Sequence, residues 1–264
     1  MKKLSPKEKR LFFVAVGLGA PLLIIALTWA QWREAIFVSY RLSGPDDLVL
    51  SDKPDWIPDE LTENLFRQGK LEGTNLYEKG LLQKIGQLAS LEPWVKEVKK
   101  VEKGANKKIV LHLLYRKPVA MVKVTSGEKR GLLPIDREGV LLPIDGFTEE
   151  EIEAYPRLII SDLSLAQLTG KVWDDIRVVQ SATLAGSLVP YWKELGLYQI
   201  IYQETTEELD STYELILADK KSARVIWGVI ESEEKENKKI ETLLKYIKEE
   251  GPLKELAAPL RFDS

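Results

Sequence analysis

The sequence predicts an α+β protein: an N-terminal transmembrane helix, a compact β-α-α-β-β module, and then a mixed β-rich domain with flanking helices. Three observations carry that expectation. No charged side chain interrupts the stretch from Leu11 to Trp32. Apolar residues then recur at helical spacing through the segment that ends near Leu91. From Trp94 onward the period changes to that of strands, punctuated by Gly, Pro and Asn.

The 22 residues from Leu11 to Trp32 make a helix of roughly 33 Å, which matches the hydrocarbon core of a bilayer. The first ten residues carry five Lys/Arg and one Glu, a charge of +4, and so predict a cytoplasmic tail at 1–10. Trp29 and Trp32 fall where interfacial aromatics sit, and Pro21 is tolerated inside a membrane helix. The alternative is a cleaved signal peptide. Thr28-Trp29-Ala30 is a poor cleavage site, and a signal's apolar core spans only about 7–15 residues. The anchor reading makes this a single-pass protein of the cell inner (plasma) membrane, with 11–32 as the span and 33–47 as a juxtamembrane spacer. Residues 48–117 and 118–264 would then form two external, periplasmic domains.

Composition narrows the chemistry. Removing the tail's +4 from the chain's −3 leaves −7, which argues against nucleic acid as a partner. With no cysteine there is no disulfide and no thiol chemistry. A single histidine, His112, excludes the usual His-rich zinc site.

Taken in order, Leu48-Val49-Leu50 is a strand candidate. A helix opens at Pro58, suited to a first helical position, and runs through Leu61, Leu65 and Phe66 to Gly69. Asn75 with Glu78 resembles a capping box ahead of a stripe at Leu81, Leu82, Ile85, Leu88 and Ala89. Trp94–Val101 and Ile109–Tyr115 are strands joined by a turn at Gly104-Ala105-Asn106. Val119–Val124 alternates, and two apolar runs flank Asp136-Arg137-Glu138-Gly139 within Leu132–Pro143. Thr148 with Glu151 forms a second capping box, and Leu158-Ile159-Ile160 is a buried strand. A helix over Trp173–Leu195 is expected to turn Ile176, Val179, Ala182, Thr183, Gly186 and Leu188 inward, with Pro190 limiting its last turns. Strands follow at Tyr198–Gln203, Tyr213–Ala218 and Ala223–Trp227. An amphipathic helix over Glu233–Glu249 and a short strand at Leu260–Phe262 close the chain.

This order of features resembles one family, the bacterial cell-division protein FtsQ, called DivIB in Gram-positive bacteria. Leu91-Glu92-Pro93-Trp94-Val95-Lys96-Glu97-Val98 is similar to the family's run into the second strand of its POTRA domain. Tyr115-Arg116-Lys117-Pro118-Val119-Ala120 is similar to the segment joining POTRA to the β domain. Asp136-Arg137-Glu138-Gly139-Val140-Leu141-Leu142-Pro143 resembles the hairpin that follows, and Leu260-Arg261-Phe262-Asp263-Ser264 a strand near the family's end. The usual Pro-Asn-Thr turn is replaced by Gly104-Ala105-Asn106-Lys107-Lys108, and Tyr115 stands where an acid is common. The resemblance implies a POTRA domain at 48–117 and an FtsQ-type β domain at 118–264. It also implies a non-catalytic divisome scaffold at the septum that binds FtsL-like and FtsB/DivIC-like single-pass partners outside the membrane and helps control septal peptidoglycan synthesis. The other reading is a POTRA-bearing envelope chaperone or export accessory, although one module and no following membrane barrel speak against it.

No catalytic residue, metal ligand, cofactor or small-molecule substrate is expected. His112 reads as an ordinary strand residue. Asp174-Asp175, Glu149-Glu150-Glu151 and the acids at Glu231, Glu233, Glu234 and Glu236 sit at helix starts, where the dipole favours them. A short closing strand exposes backbone that another chain's strand can pair with. In the family the late strands dock a partner segment, so the resemblance suggests Ala223, Arg224, Val225, Ile226, Trp227, Leu260, Arg261, Phe262, Asp263 and Ser264 as the docking edge. Trp227 reads either as a contact residue or as packing, and Trp94 reads as packing.

Overall fold

The computed structural model describes Pro21, Ile25, Thr28, Trp29 and residues 40–126, 129–163, 168–204, 211–217, 224–255 and 258–262. The chain is α+β with mixed sheets, and it divides into two compact units whose segments interleave. The first comprises Met1–Lys53, Asp59–Leu88 and Lys99–His112; the second comprises Pro54–Pro58, Ala89–Val98 and Leu113–Ser264.

The expected transmembrane anchor is corrected. Among the described residues no helix is long and apolar enough to cross a membrane. A span needs about 20 consecutive apolar residues in one helix. The longest described helix, Glu233–Glu250, has 18 residues and a charged face. Of 11–32 only Pro21, Ile25, Thr28 and Trp29 are described; the remainder lies outside the described residues. The single-pass placement in the inner membrane, with its cytoplasmic tail and periplasmic domain, is withdrawn with the anchor.

In the first unit, β1 (Leu48–Ser51) precedes two helices, α1 (Glu60–Gln68) and α2 (Leu81–Leu91). A hairpin of β2 (Val95–Lys103) and β3 (Ile109–Tyr115) follows, of which Lys99–Lys103 and Ile109–His112 lie in this unit. The strands lie in the order β1-β3-β2, with β1 parallel to β3. Leu48, Ile109 and Leu111 from the sheet, Leu61, Leu65 and Phe66 from α1, and Leu81 and Ile85 from α2 are all buried, which forms the unit's core. The hairpin reverses at Asn106 and Lys107, both at positive φ (53° and 64°), the mirror-type turn whose twist suits a hairpin. Asn75 does not cap α2, which starts six residues later; its Oδ1 accepts from the Tyr77 N–H at 2.8 Å in a local turn.

The second unit is built on a seven-stranded mixed sheet. Its strands are β4 (Pro118–Ser126), β5 (Lys129–Asp136), β6 (Arg157–Ile159), β7 (Leu197–Glu204), β8 (Ser211–Leu217), β9 (Arg224–Gly228) and β10 (Leu260–Arg261). They are ordered β10-β9-β8-β7-β6-β4-β5. Three helices accompany them: α3 (Glu149–Ala154), α4 (Ile176–Leu188) and α5 (Glu233–Glu250). Helix α4 links parallel β6 to β7 and α5 links β9 to parallel β10, so each is the crossover that parallel neighbours need. One sheet face buries Val122, Leu158, Ile200, Leu215, Val225 and Trp227 with Ala182 and Ala185 of α4 and Ile240 and Leu243 of α5.

The inward stripe of α4 differs from expectation. Val178, Ser181, Ala182, Leu184, Ala185 and Leu188 are buried, while Ile176 is 63% exposed. Thr183 Oγ1 lies 3.0 Å from the Val179 carbonyl and 3.3 Å from that of Arg137, and a Cβ on Gly186 would lie 2.7 Å from Arg137 Cγ. That face of the helix packs on the turn after β5 rather than on the sheet. The helix also stops early, at Leu188, because Pro190 directs the chain into a 3-10 turn.

Candidate functional site

Three of the motifs singled out in the sequence meet in the second unit. Asp136 ends β5 and is 4% exposed. Its Oδ1 accepts from the Glu138 and Val140 N–H groups, each at 2.9 Å, and its carbonyl accepts from Gly139 N–H at 3.0 Å. Gly139 has φ +74°, and a Cβ there would stand 2.9 Å from Val179 Cγ2; the position therefore calls for glycine twice over. Arg116 donates from Nη1 to Asp136 Oδ2 at 2.6 Å and to Glu138 Oε2 at 3.0 Å. Lys96 donates to the other oxygen of Glu138 at 2.5 Å. Contact with Lys96 first, and with Arg116 after it, holds the Glu138 carboxyl below its ordinary range against the opposing effect of burial. Burial works against the charged form of Arg116, but Asp136 and Glu138 outweigh it and raise its pKa. Trp56 donates its indole N–H to the Arg116 carbonyl at 3.1 Å. This junction is a network of charge-assisted hydrogen bonds, with the character of a clamp.

At the other end of the sheet, the expected docking edge separates into an interior part and a rim. Strand β9 has antiparallel β8 on one side and parallel β10 on the other, with Val225 level with Leu260 and Ile226 with Arg261. Phe262 N–H donates to the Ile226 carbonyl at 2.8 Å. Val225, Ile226 and Trp227 are buried and Arg224 is half-buried, so the chain's own end covers the β9 edge. Leu260 and Phe262 are half-buried and Arg261 is exposed, on the outermost strand among the described residues. Ala223, Asp263 and Ser264 lie outside the described residues.

Trp227 proves to be packing. It is fully buried, its indole N–H donates to Glu236 Oε2, and its ring lies 5.4 Å from that of Phe262. Lys239 Nζ donates to the carbonyls of Trp227 and Val229, both at 3.0 Å, and pairs with Glu236 at 3.5 Å. The buried Glu236, one of the acids assigned to the helix dipole, is therefore also the group that ties α5 to β9. Trp94 is buried as well and stacks on Phe147, centroids 6.0 Å apart.

His112 has partners that the sequence separation hides. Ser51 Oγ lies 2.9 Å from His112 Nδ1, and His112 Nε2 lies 3.0 Å from Glu102 Oε1. The three side chains come from β1, β3 and β2, which are neighbours in the first unit's sheet. Lys100, through its hydrogen bond, and then His112 lower the pKa of Glu102. With the His112 and Glu102 side chains 37% and 40% exposed, the row is open to water. It works as a cross-strand polar ladder that fixes strand register.

Neither a protein-family model nor a curated protein matches the chain. Function has to be argued from the residues themselves.

Proposed function

We propose that the chain is a non-catalytic scaffold of the bacterial divisome, similar to FtsQ/DivIB. In this reading it binds FtsL-like and FtsB/DivIC-like partners and so helps to control septal peptidoglycan synthesis. The observation that carries the reading is the junction of Arg116 with Asp136 and Glu138. It joins three of the four segments on which the resemblance rests, through Lys96 of Leu91–Val98, Arg116 of Tyr115–Ala120, and Asp136 and Glu138 of Asp136–Pro143. The docking element is β10, where an incoming strand extends the seven-stranded sheet by backbone pairing. Binding costs translational and rotational freedom, so a two-residue strand needs an apolar anchor beside it. Half-buried Phe262, backed by the fully buried Trp227, supplies one.

The test is co-purification after crosslinking in cells, beside depletion of the protein. Depletion is expected to give filamentous cells, and the full chain is expected to capture short single-pass coiled-coil proteins. A version lacking residues 259–264 is expected to lose that capture. Normal division on depletion, or capture of unfolded export clients instead, overturns the reading. Unchanged capture by the truncated chain moves the docking element away from β10.

A further inference from the structure

On the sheet face opposite the α4/α5 core, strands β4, β6 and β7 set polar side chains in a row. Arg157 of β6 is level with Met121 of β4 and with Gln199 of β7, and Lys123 follows two residues after Met121. Two residues along a strand return to the same face, so Lys123, Arg157 and Gln199 share it. Tyr198 would ordinarily point to the other side. The register of β7 on β8 shifts between Leu197 and Gln199, which makes Tyr198 the extra residue of a bulge, and a bulge re-aims a side chain. The Arg157 guanidinium carbon consequently sits 4.8 Å from the Tyr198 ring centroid.

These residues line an open cleft of about 560 Å³, within the size range of small-molecule sites. Its apolar wall comes from Leu132 of β5, Ile159 of β6 and Ile152 of α3. Two cations line it, and none of the described lining residues is acidic. Arg157 Nε is buried and, among the described residues, has no hydrogen-bond partner. A buried donor left unmatched is costly, more so on a charged group. The cation lies over the Tyr198 ring, which does not accept its Nε–H. A planar guanidinium fork donates two parallel hydrogen bonds to a carboxylate.

We propose that this cleft binds a small organic carboxylate with an apolar body, its carboxylate on Arg157 and Lys123 and its chain along Ile152, Ile159 and Leu132. The site is separate from the junction at Arg116 and from β10, and it does not depend on the scaffold reading. The apolar wall is what selects an organic acid over a bare anion.

The test titrates the full chain with hexanoate, hexanol and inorganic phosphate while following the arginine Nε–H signals by NMR. Arg157→Lys assigns the Arg157 signal by its disappearance. Saturable movement of that signal with hexanoate, little with hexanol and little with phosphate, is the expected result. Lys123→Gln is expected to weaken hexanoate, and Arg157→Gln to weaken it roughly tenfold to a hundredfold, the range for a hydrogen bond to a charged group. A still Arg157 signal at saturating hexanoate overturns the proposal. So does equal response to phosphate, which would mark a plain anion site, or equal response to hexanol, which would mark an apolar one. The titration of the unaltered chain and of Lys123→Gln decides the matter even if Arg157→Gln fails to fold.

Discussion

Arg116 and Arg157 are both half-buried arginines of the second unit, and their surroundings are opposite. Arg116 meets two carboxylates, at 2.6 and 3.0 Å, and those carboxylates also accept from Lys96 and from the Glu138 and Val140 N–H groups. Arg157 meets a tyrosine ring and, among the described residues, has a buried N–H without an acceptor. The first arrangement is complete, so it holds the fold. The second is incomplete, and an outside molecule can complete it. A buried cation is therefore not one kind of feature: what decides its role is whether the chain answers its donors.

The largest expected effect is at the complete end of that contrast. Asp136→Ala leaves the Arg116 cation without its closest carboxylate and two backbone N–H groups without an acceptor. The expected loss is roughly 3 kcal/mol in urea unfolding. The corresponding change in the cleft, Arg157→Gln, removes the cation from the Tyr198 ring but, among the described residues, no hydrogen bond or ion pair. The expected loss is about 1 kcal/mol. If the two substitutions cost the same, Arg157 is a structural residue and the contrast is wrong.

How much of this was legible in sequence follows the range of the forces involved. Local signals read well. Thr148 and Glu151 cap each other, with Thr148 Oγ1 accepting from the Glu151 N–H at 3.2 Å and the Glu151 carboxylate accepting from the Thr148 N–H at 2.8 Å. The stripe of α5 likewise buries Ile240 and Leu243 where the spacing placed them. Signals that require tertiary pairing did not read. His112 looked alone because Ser51 and Glu102 are brought to it only by strand order. Arg157 looked like any charged residue at a strand start, since nothing in its neighbourhood reveals that Tyr198 will be turned beneath it by a bulge. Trp227 was ambiguous for a related reason: its partner Glu236 looked like an ordinary acid at a helix start. The covering of the β9 edge was equally illegible, because a parallel strand arriving after a helix leaves no local trace beside the strand it covers.

The smallest expected effect concerns acid. The folded pKa of Glu138 is lowered, by Lys96 first and Arg116 next. A carboxylate depressed on folding stabilises the protein above its unfolded value of about 4.3, and that contribution disappears as pH falls through the lower folded value. The junction therefore becomes weaker on the acid side, whereas no acidic residue among the described lining of the cleft titrates there. In urea midpoints measured from about pH 7 down to about pH 3, Glu138→Gln is expected to flatten the acid limb, and Arg157→Gln to leave its shape unchanged. Glu138 is 49% exposed, so solvent screens the effect and the flattening is modest. An acid limb that Glu138→Gln leaves intact but Arg157→Gln removes would mean that the cleft's cation is answered by a carboxylate of this chain. Arg157 would then belong with Arg116 as part of the fold.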